Sequence, residues 1–349
     1  MVQLVKTFLI TGGAGFIGSN FVHHLYRTYS EYRILVLDAL TYAGNVENLP
    51  GGLAQSANSG RLQFWYGDVR NASLVDSLVE QSDVVVHFAA ETHVTRSIYD
   101  NYHFFETDVL GTQVVANSVL KHLNGVDRFI HVSTSEVYGT ARTALMDEDA
   151  PLMPMSPYAS AKAGADRLVY SYFATYGLPA IIVRPFNQFG PRQHLEKVIP
   201  RFITSCLLGE PLRVHGDGSA ERDFTYIDDT CLALDRLAHC DLSSVAGEVI
   251  NLGCGRSIAL RDMAPLIARR MNRPDAEIVY VGDRPGQVFR HTADASKASR
   301  LFGWRAEIDF EDGLERTIAW YVAHRSWWEK QLWMREIPII TKSGKRELH

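Results

Sequence analysis

Cysteine is scarce in this chain, and what there is does not sit in pairs. Four among 349 residues, Cys206, Cys231, Cys240 and Cys254, lack the spacing of a zinc site and the density of a disulfide framework. Buried free thiols in a reducing cytoplasm are expected, with no metal centre. Long apolar runs are missing too, since none approaches the ~20 residues a membrane span needs. The sequence enters strand-like residues almost at once, without the basic and apolar segments of a secretory signal. Basic excess is absent: 35 Lys+Arg against 40 Asp+Glu leave a net charge of -5. That gives no footprint for nucleic acid and no polybasic patch for a membrane. No internal repeat or low-complexity segment breaks the chain.

What is present is a core. With 46% hydrophobic and 21% charged residues, the chain suits one large domain or two intimately joined ones. Its first organising feature is Lys6 to Thr11, a short apolar strand, followed at once by Gly12-Gly13-Ala14-Gly15-Phe16-Ile17-Gly18 and a helix through Phe21, Val22 and Leu25. Gly12, Gly15 and Gly18 meet the needs of a dinucleotide turn: a tight bend, close approach of a pyrophosphate, and close helix–strand packing. The helix N-terminus behind Phe16 and Ile17 favours the anion. A second strand, Arg33 to Leu37, ends at Asp38, twenty residues past Gly18. A carboxylate there accepts from a ribose 2′-hydroxyl and repels a 2′-phosphate, which points to NAD over NADP.

Residues 41 to 60, rich in Gly, Asn and Pro, read as a loop over the adenosine. Leu62 to Val69 is a strand whose end carries Asp68 and Val69. Asp68 either holds the adenine amino group or caps a helix over residues 72 to 80. Asp83 to Ala90 is a fully buried strand by its β-branched run, and the small Ala89 and Ala90 let a cofactor pass closely. Glu91, Thr92 and His93 follow at the level of a substrate. Phe105 to Leu120 is amphipathic and predicts a long helix. With the helix that opens at Tyr158, it is a candidate for pairing across a two-fold axis in a homodimer.

The second organising feature is a pair of segments. Phe129 to Val132 delivers Ser133-Thr134-Ser135-Glu136 to the end of a buried strand, where ligands bind in open α/β sheets. About twenty residues on, Pro157 presets a helix on which Tyr158 and Lys162 stand four apart, on one face. An ammonium beside a phenol lowers its pKa, and a phenolate takes a proton from a sugar hydroxyl while a nicotinamide takes the hydride. Tyr-x-x-x-Lys by itself also describes an ordinary surface helix. The upstream dinucleotide turn is what gives it meaning.

After a further central strand, Pro179 to Arg184, the texture becomes irregular. Gly216-Asp217-Gly218 reads as a hairpin-like turn, and Glu248 to Gly253 as a strand that returns to the first sheet. Lys197, Arg222, Arg284 and Arg290 are cations enough to clamp a diphosphate. Asn187, Val198, His215 and Asn251 complete the residues expected to face substrate. The expected fold is α/β: a Rossmann-type doubly wound parallel sheet with a smaller, mixed α/β C-terminal substrate domain. Residues 1–184 plus about 225–253 form the first part, 185–224 plus about 254–330 the second, and 331–349 a tail. The tail follows Trp327 and Trp328, holds Trp333, and is expected to pack on the body or on a partner subunit.

These motifs resemble the extended short-chain dehydrogenase/reductase family over essentially residues 7 to 325. Leu37 to Asn45, Ala89 to Val94, Glu196 to Pro200 and Arg284-Pro285-Gly286 are similar to the dTDP-glucose 4,6-dehydratases. The resemblance implies oxidation at C4 with bound NAD, elimination of water across C5 and C6, and return of the hydride to C6. It implies Tyr158 as the C4 base, Thr134 on the 4-oxygen, Lys162 on Tyr158 and the nicotinamide ribose, and Glu136 on the C5 proton. That family has Asp where this chain has Ser135, and Asp is its acid for the leaving C6 hydroxyl. Thr-Ser-Glu instead resembles GDP-mannose 4,6-dehydratases and UDP-glucuronate decarboxylases, and His215 replaces an expected aromatic. Two other functions remain in view: a C4-epimerase or decarboxylase, and a non-catalytic NAD-binding scaffold. The expected partner is a nucleotide-diphosphate sugar.

Overall fold

Six apolar runs become the first strands of one sheet: β1 (Thr7–Thr11), β2 (Arg33–Asp38), β3 (Leu62–Tyr66), β4 (Val84–His87), β5 (Arg128–Val132) and β6 (Ala180–Pro185). The chain then leaves that sheet for β7 (Asn187–Phe189), β8 (Leu212–His215) and β9 (Glu221–Tyr226). It returns once, with β10 (Val249–Leu252), and leaves again for β11 (Ser257–Ala259), β12 (Ile278–Val281) and β13 (Arg290–His291). This computed structural model describes residues 6–51, 60–282, 286, 288–335, 338–340 and 344–348.

The seven-stranded order is β10-β6-β5-β4-β1-β2-β3, parallel at every pairing. The central strands β4, β5 and β6 are buried along their whole length, because helices cover both faces of a parallel sheet. The chain builds outward from β1 in one direction and from β4 in the other. The order therefore reverses between them, and that reversal opens a crevice at the carboxyl ends. The return of β10 beside β6 is the strand expected from Glu248 to Gly253.

Two of the expected elements differ. Phe105 to Leu120 is helical, but Phe105–Gly111 winds as a π-helix before the α-helix Thr112–Lys121 begins. Gly111 faces Val69, and a Cβ there would meet the Val69 side chain at 2.7 Å. Gly216 to Gly218 does not make a hairpin. β8 pairs in parallel with β12, whereas β9 pairs with β7, β11 and β13. The turn passes the chain between two small sheets instead of folding it back on itself.

The helix Pro157–Tyr176 is the best-specified in the chain. Ser156 caps it by accepting from the Ala159 amide, Pro157 fills the first position, and Gly177 ends it at φ 70°. A cap of this kind stabilises by about 1 kcal/mol. Its far side is fixed by a buried ion pair, with Arg184 of β6 donating to both oxygens of Asp166 at 2.8 and 2.9 Å. The Arg184 guanidinium also donates to the Tyr138 hydroxyl at 2.9 Å. The helix is thus tied to the sheet and to the Ser135–Tyr138 turn at once. In the C-terminal segment, Trp327 and Trp328 are buried, their indoles donating to Asn48 Oδ1 and the Tyr321 carbonyl, while Trp333 is exposed.

Candidate active site

A cleft of about 420 Å³ runs along the carboxyl ends of β1, β2, β4, β5 and β6 and on beneath β8. One arm is the glycine turn. Gly12 takes φ 68°, and a Cβ on it would stand 2.6 Å from the Ala89 nitrogen. A Cβ on Gly18 would stand 2.4 Å from the Gly12 carbonyl. Gly15 caps the helix Phe16–Thr28 with no side-chain partner for its first amides. Glycine thus lets the turn pack on β4 and on itself, and it leaves the first helix amides without a side-chain cap, which is the fit an anionic pyrophosphate needs. Gly12, Gly15, Phe16, Ile17, Gly18, Asp38, Asp68, Val69, Ala89 and Ala90 all line this arm, as the sequence suggests.

Asp38 is buried, and its carboxylate accepts from the Ala14 amide at 2.9 Å and the Leu40 amide at 2.8 Å. Burial raises its pKa and these bonds work the other way. Asp68 does not cap the following helix. Asn71 does so, accepting from Leu74, and Arg70 grips the Asp68 carboxylate at 2.7 Å. The cap falls to Asn71 because it stands immediately before the first helical residue.

The second arm gathers Thr134, Glu136, Tyr158 and Lys162 with Glu91, Thr92, His93, Asn187, Lys197, Val198 and His215. The Thr134 side chain accepts from the Glu136 amide at 3.2 Å, which starts the Ser135–Tyr138 turn and holds Glu136 at the cleft wall. Lys162 is buried and donates to the Val132 carbonyl at 2.7 Å. The expected lowering of the Tyr158 pKa by Lys162 is not found. Burial pushes the phenol up; the Thr134 hydrogen bond opposes this, while Asp108, Glu136 and Glu196 add to it. Burial likewise lowers Lys162, against the pull of Asp108 and Asp166.

Ser135 is the clearest correction. It lies next to Glu136 in sequence but points away from the cleft, 2% exposed, with its hydroxyl 3.5 Å from His291 Nδ1. The short helical turn puts adjacent side chains on different sides. His93 lies in the cleft on the other side of the site. Its Nδ1 accepts from the Arg96 amide at 3.1 Å, and its Nε2 stands 3.4 Å from Glu196.

Two other expected substrate residues, Asn251 and Arg290, are elsewhere. Asn251 is fully buried, accepting from the Tyr138 hydroxyl at 2.8 Å and donating to the Met146 carbonyl at 3.0 Å. It fastens the loop after β5 to β10. Arg290 turns outward and donates to the Thr143 carbonyl at 2.8 Å. Arg284 lies outside the described residues. Arg222 lines the cleft, yet its guanidinium donates to the Glu221 and Val288 carbonyls at 2.8 and 2.7 Å.

Sequence reasoning missed Arg201, Arg213 and Arg335, which line the same cleft. Arg213 sits two residues before His215 on β8, so period-two alternation was a signal for it. Arg335 had none, because it arrives from the tail. Glu196 is also central: burial works against its charge, but His93, Lys197 and His194 outweigh it and hold the carboxyl to about 2.

With this geometry in hand, comparison with known proteins is direct. The profile of the GDP-mannose 4,6 dehydratase family matches residues 9–317, and the chain belongs to that family. It is similar to the low-salt glycan biosynthesis protein Agl12 of Haloferax volcanii, 45% identical over 90% of this chain and 98% of that one. It is 42% identical to a dTDP-glucose 4,6-dehydratase of Streptomyces antibioticus, covering 92% of this chain and 94% of the relative. Among solved structures, DesIV, a dTDP-glucose 4,6-dehydratase from Streptomyces venezuelae with NAD and TYD bound, superposes with a TM-score of 0.86 at 40% identity. That match covers 93% of this chain and 99% of the other.

Proposed function

We infer that the chain is an NAD-dependent nucleotide-diphosphate-sugar 4,6-dehydratase that converts a dTDP- or UDP-hexose to its 4-keto-6-deoxy sugar. The observation that carries this is Glu136 in one cleft wall with Thr134, Tyr158 and Lys162. A C4 epimerisation has no use for such a carboxylate.

Gly12, Gly15 and Gly18 would hold the pyrophosphate, Asp38 the adenosine ribose, and Lys162 the nicotinamide ribose. When bound, NAD supplies the acceptor that makes C4 a ketone and the donor that later reduces C6. Tyr158 takes the 4-hydroxyl proton, with Thr134 bonding the same oxygen. The 4-ketone acidifies the C5 proton, and Glu136 removes it. The C5 electron pair becomes the C5–C6 double bond as the C6–O bond breaks, Glu136 delivers the proton that lets water depart, and C5 takes a solvent proton when C6 is reduced, balancing the one Tyr158 releases. One carboxyl group serves both atoms from one face. Lys197 and Arg213 line the cleft and would supply positive charge for the diphosphate. Ser135 facing His291 and Arg290 bonded to Thr143 speak against a decarboxylase, which would want both at a C6 carboxylate.

We assign residues 1–184 and about 225–253 to the cofactor, and 185–224 with about 254–330 to the nucleotide sugar. Among the described residues no helix is long and apolar enough to cross a membrane, and the free thiols of four cysteines suit a cytoplasmic enzyme. Tyr99, Tyr102, Phe105, Leu110, Tyr170 and Tyr176 are exposed on the helices around Phe105–Gly111 and Pro157–Tyr176, which supports a homodimer through them. Light scattering should give twice the chain mass, and a clean monomer at micromolar concentration refutes the dimer.

The activity itself is tested with dTDP-, UDP- and GDP-sugars, products being identified by mass and NMR. A dTDP- or UDP-hexose should lose one water and gain a methyl doublet. Products of unchanged mass epimerised at C4, or products that have lost carbon dioxide, refute the reading.

A further inference from the structure

Behind Glu136, on the side away from the cleft, stands a histidine that the mechanism above does not use. His291 is the last residue of β13 and is fully buried. Its Nε2 lies 2.6 Å from the Gly139 carbonyl. A carbonyl only accepts, so Nε2 carries the ring proton and Nδ1 of the neutral ring is a lone pair. Nδ1 faces the Ser135 hydroxyl at 3.5 Å and Glu136 Oε1 at 3.9 Å. Phe186 closes the ring edge-on at 6.0 Å. A proton acceptor of fixed tautomer thus faces the carboxylate that the elimination depends on, from a buried position off the cleft.

We propose that His291 is a positioning residue that stores the C5 proton, through Glu136, until the C6 oxygen departs. The inference rests on the dehydratase reading. When the C5–H bond breaks, Glu136 becomes a carboxylic acid, and a side-chain rotation that closes the resting 3.9 Å gap brings its O–H into hydrogen-bond range of Nδ1. The proton crosses to make imidazolium, paired with the Glu136 carboxylate. It returns along the same path to the departing C6 oxygen, which leaves as water. No proton is gained or lost overall. Ser135 donates to Nδ1 in the resting state and turns aside when Nδ1 is protonated, which gives that buried hydroxyl its place.

The groups facing His291 set its charge. Burial lowers its pKa; Glu136, the Gly139 carbonyl and Asp223 raise it, and Arg222 lowers it. Burial prevails, so the ring rests neutral at neutral pH and is ready to accept. As pH falls through the lowered value, Nδ1 is already protonated and the store is full. Elimination should therefore lose rate on the acid side.

The test is His291→Gln, whose amide still donates to Gly139 and accepts from Ser135 but holds no proton, with His291→Phe beside it. Single-turnover mixing with a dTDP-hexose follows NADH absorbance for C4 oxidation, and quenched samples give the 4-keto-6-deoxy product. Both variants should oxidise C4 at the wild-type rate, which also certifies their fold. Elimination should slow by about 10², the lower end for proton transfer by a positioned group, so NADH accumulates. Elimination by His291→Gln at the wild-type rate overturns the proposal. So does equal slowing of oxidation and elimination, which marks a packing role. A wild type that forms no 4-keto-6-deoxy product removes the dehydratase reading and this proposal together; a dehydrating wild type matched by His291→Gln removes this proposal alone.

Discussion

Replacing Glu136 by Gln isolates the elimination from the redox steps on either side of it. The exchange is nearly isosteric. The carboxylate stands 3.9 Å from His291 Nδ1, beyond hydrogen-bond range, so the amide displaces no strong bond. The side chain is 19% exposed at the cleft wall, so no cavity or orphaned buried charge results. Stability should change within about 0.5 kcal/mol, as for substitutions away from such features. The rate should not be spared. An amide neither accepts the C5 proton nor returns it to the C6 oxygen, and a positioned acid or base is worth about 10² to 10⁴. At about 1.4 kcal/mol per decade, that adds roughly 3 to 5 kcal/mol to the elimination barrier. Tyr158, Thr134 and Lys162 are untouched, so C4 oxidation proceeds and NADH builds up on the enzyme. Stopped-flow absorbance follows that species, while NMR of quenched samples follows the 6-methyl group. A Glu136→Gln enzyme that forms the 4-keto-6-deoxy sugar at the wild-type rate refutes the role of Glu136 in the elimination.

Asp38→Ala should shift the NADP-to-NAD ratio of kcat/KM, or of Kd, toward NADP by at least about tenfold, roughly 1.4 kcal/mol. A wild type that binds both cofactors equally would contradict the reading of Asp38. Asp166→Ala leaves the Arg184 guanidinium buried without its partner and should cost about 3 to 5 kcal/mol; urea unfolding showing a loss below about 1 kcal/mol would be inconsistent with it. Glu196 is held to about 2 against an ordinary 4.5, so its charge stabilises fully above pH 4.5 and that contribution fades as pH falls toward 2. Wild type and Glu196→Gln should therefore differ by up to roughly 3 kcal/mol near neutrality and converge in that acid window. Thermal unfolding from pH 7 downward checks this, and a constant difference counts against it.

The sheet and the cofactor arm were legible in the sequence because they depend on short-range chemistry. A buried run makes a strand wherever it lies, a glycine turn needs no distant partner, and Tyr158 and Lys162 share a face by helical geometry alone. The ends of those elements placed Thr134, Glu136, Ala89 and Asp38 correctly along one cleft. Elsewhere the outcome depended on which neighbour a segment met. β13 pairs with β9, and that pairing buries His291 while Arg290 bonds the Thr143 carbonyl away from the cleft, so adjacent residues part company. The Ser135–Tyr138 turn splits Ser135 from Glu136, and no periodicity announces the direction of so short a turn. Asn251 was taken by Tyr138 and Met146 once β10 came to lie beside β6. The three cleft arginines missed from sequence, Arg213, Arg201 and Arg335, come from β8, from the helix Val198–Leu208 and from the tail, and chain separation hides their meeting. Sequence alone determined which chemistry the chain carries and on which elements. Tertiary pairing decided which side chains face it, because a single residue of register turns a side chain from solvent to core.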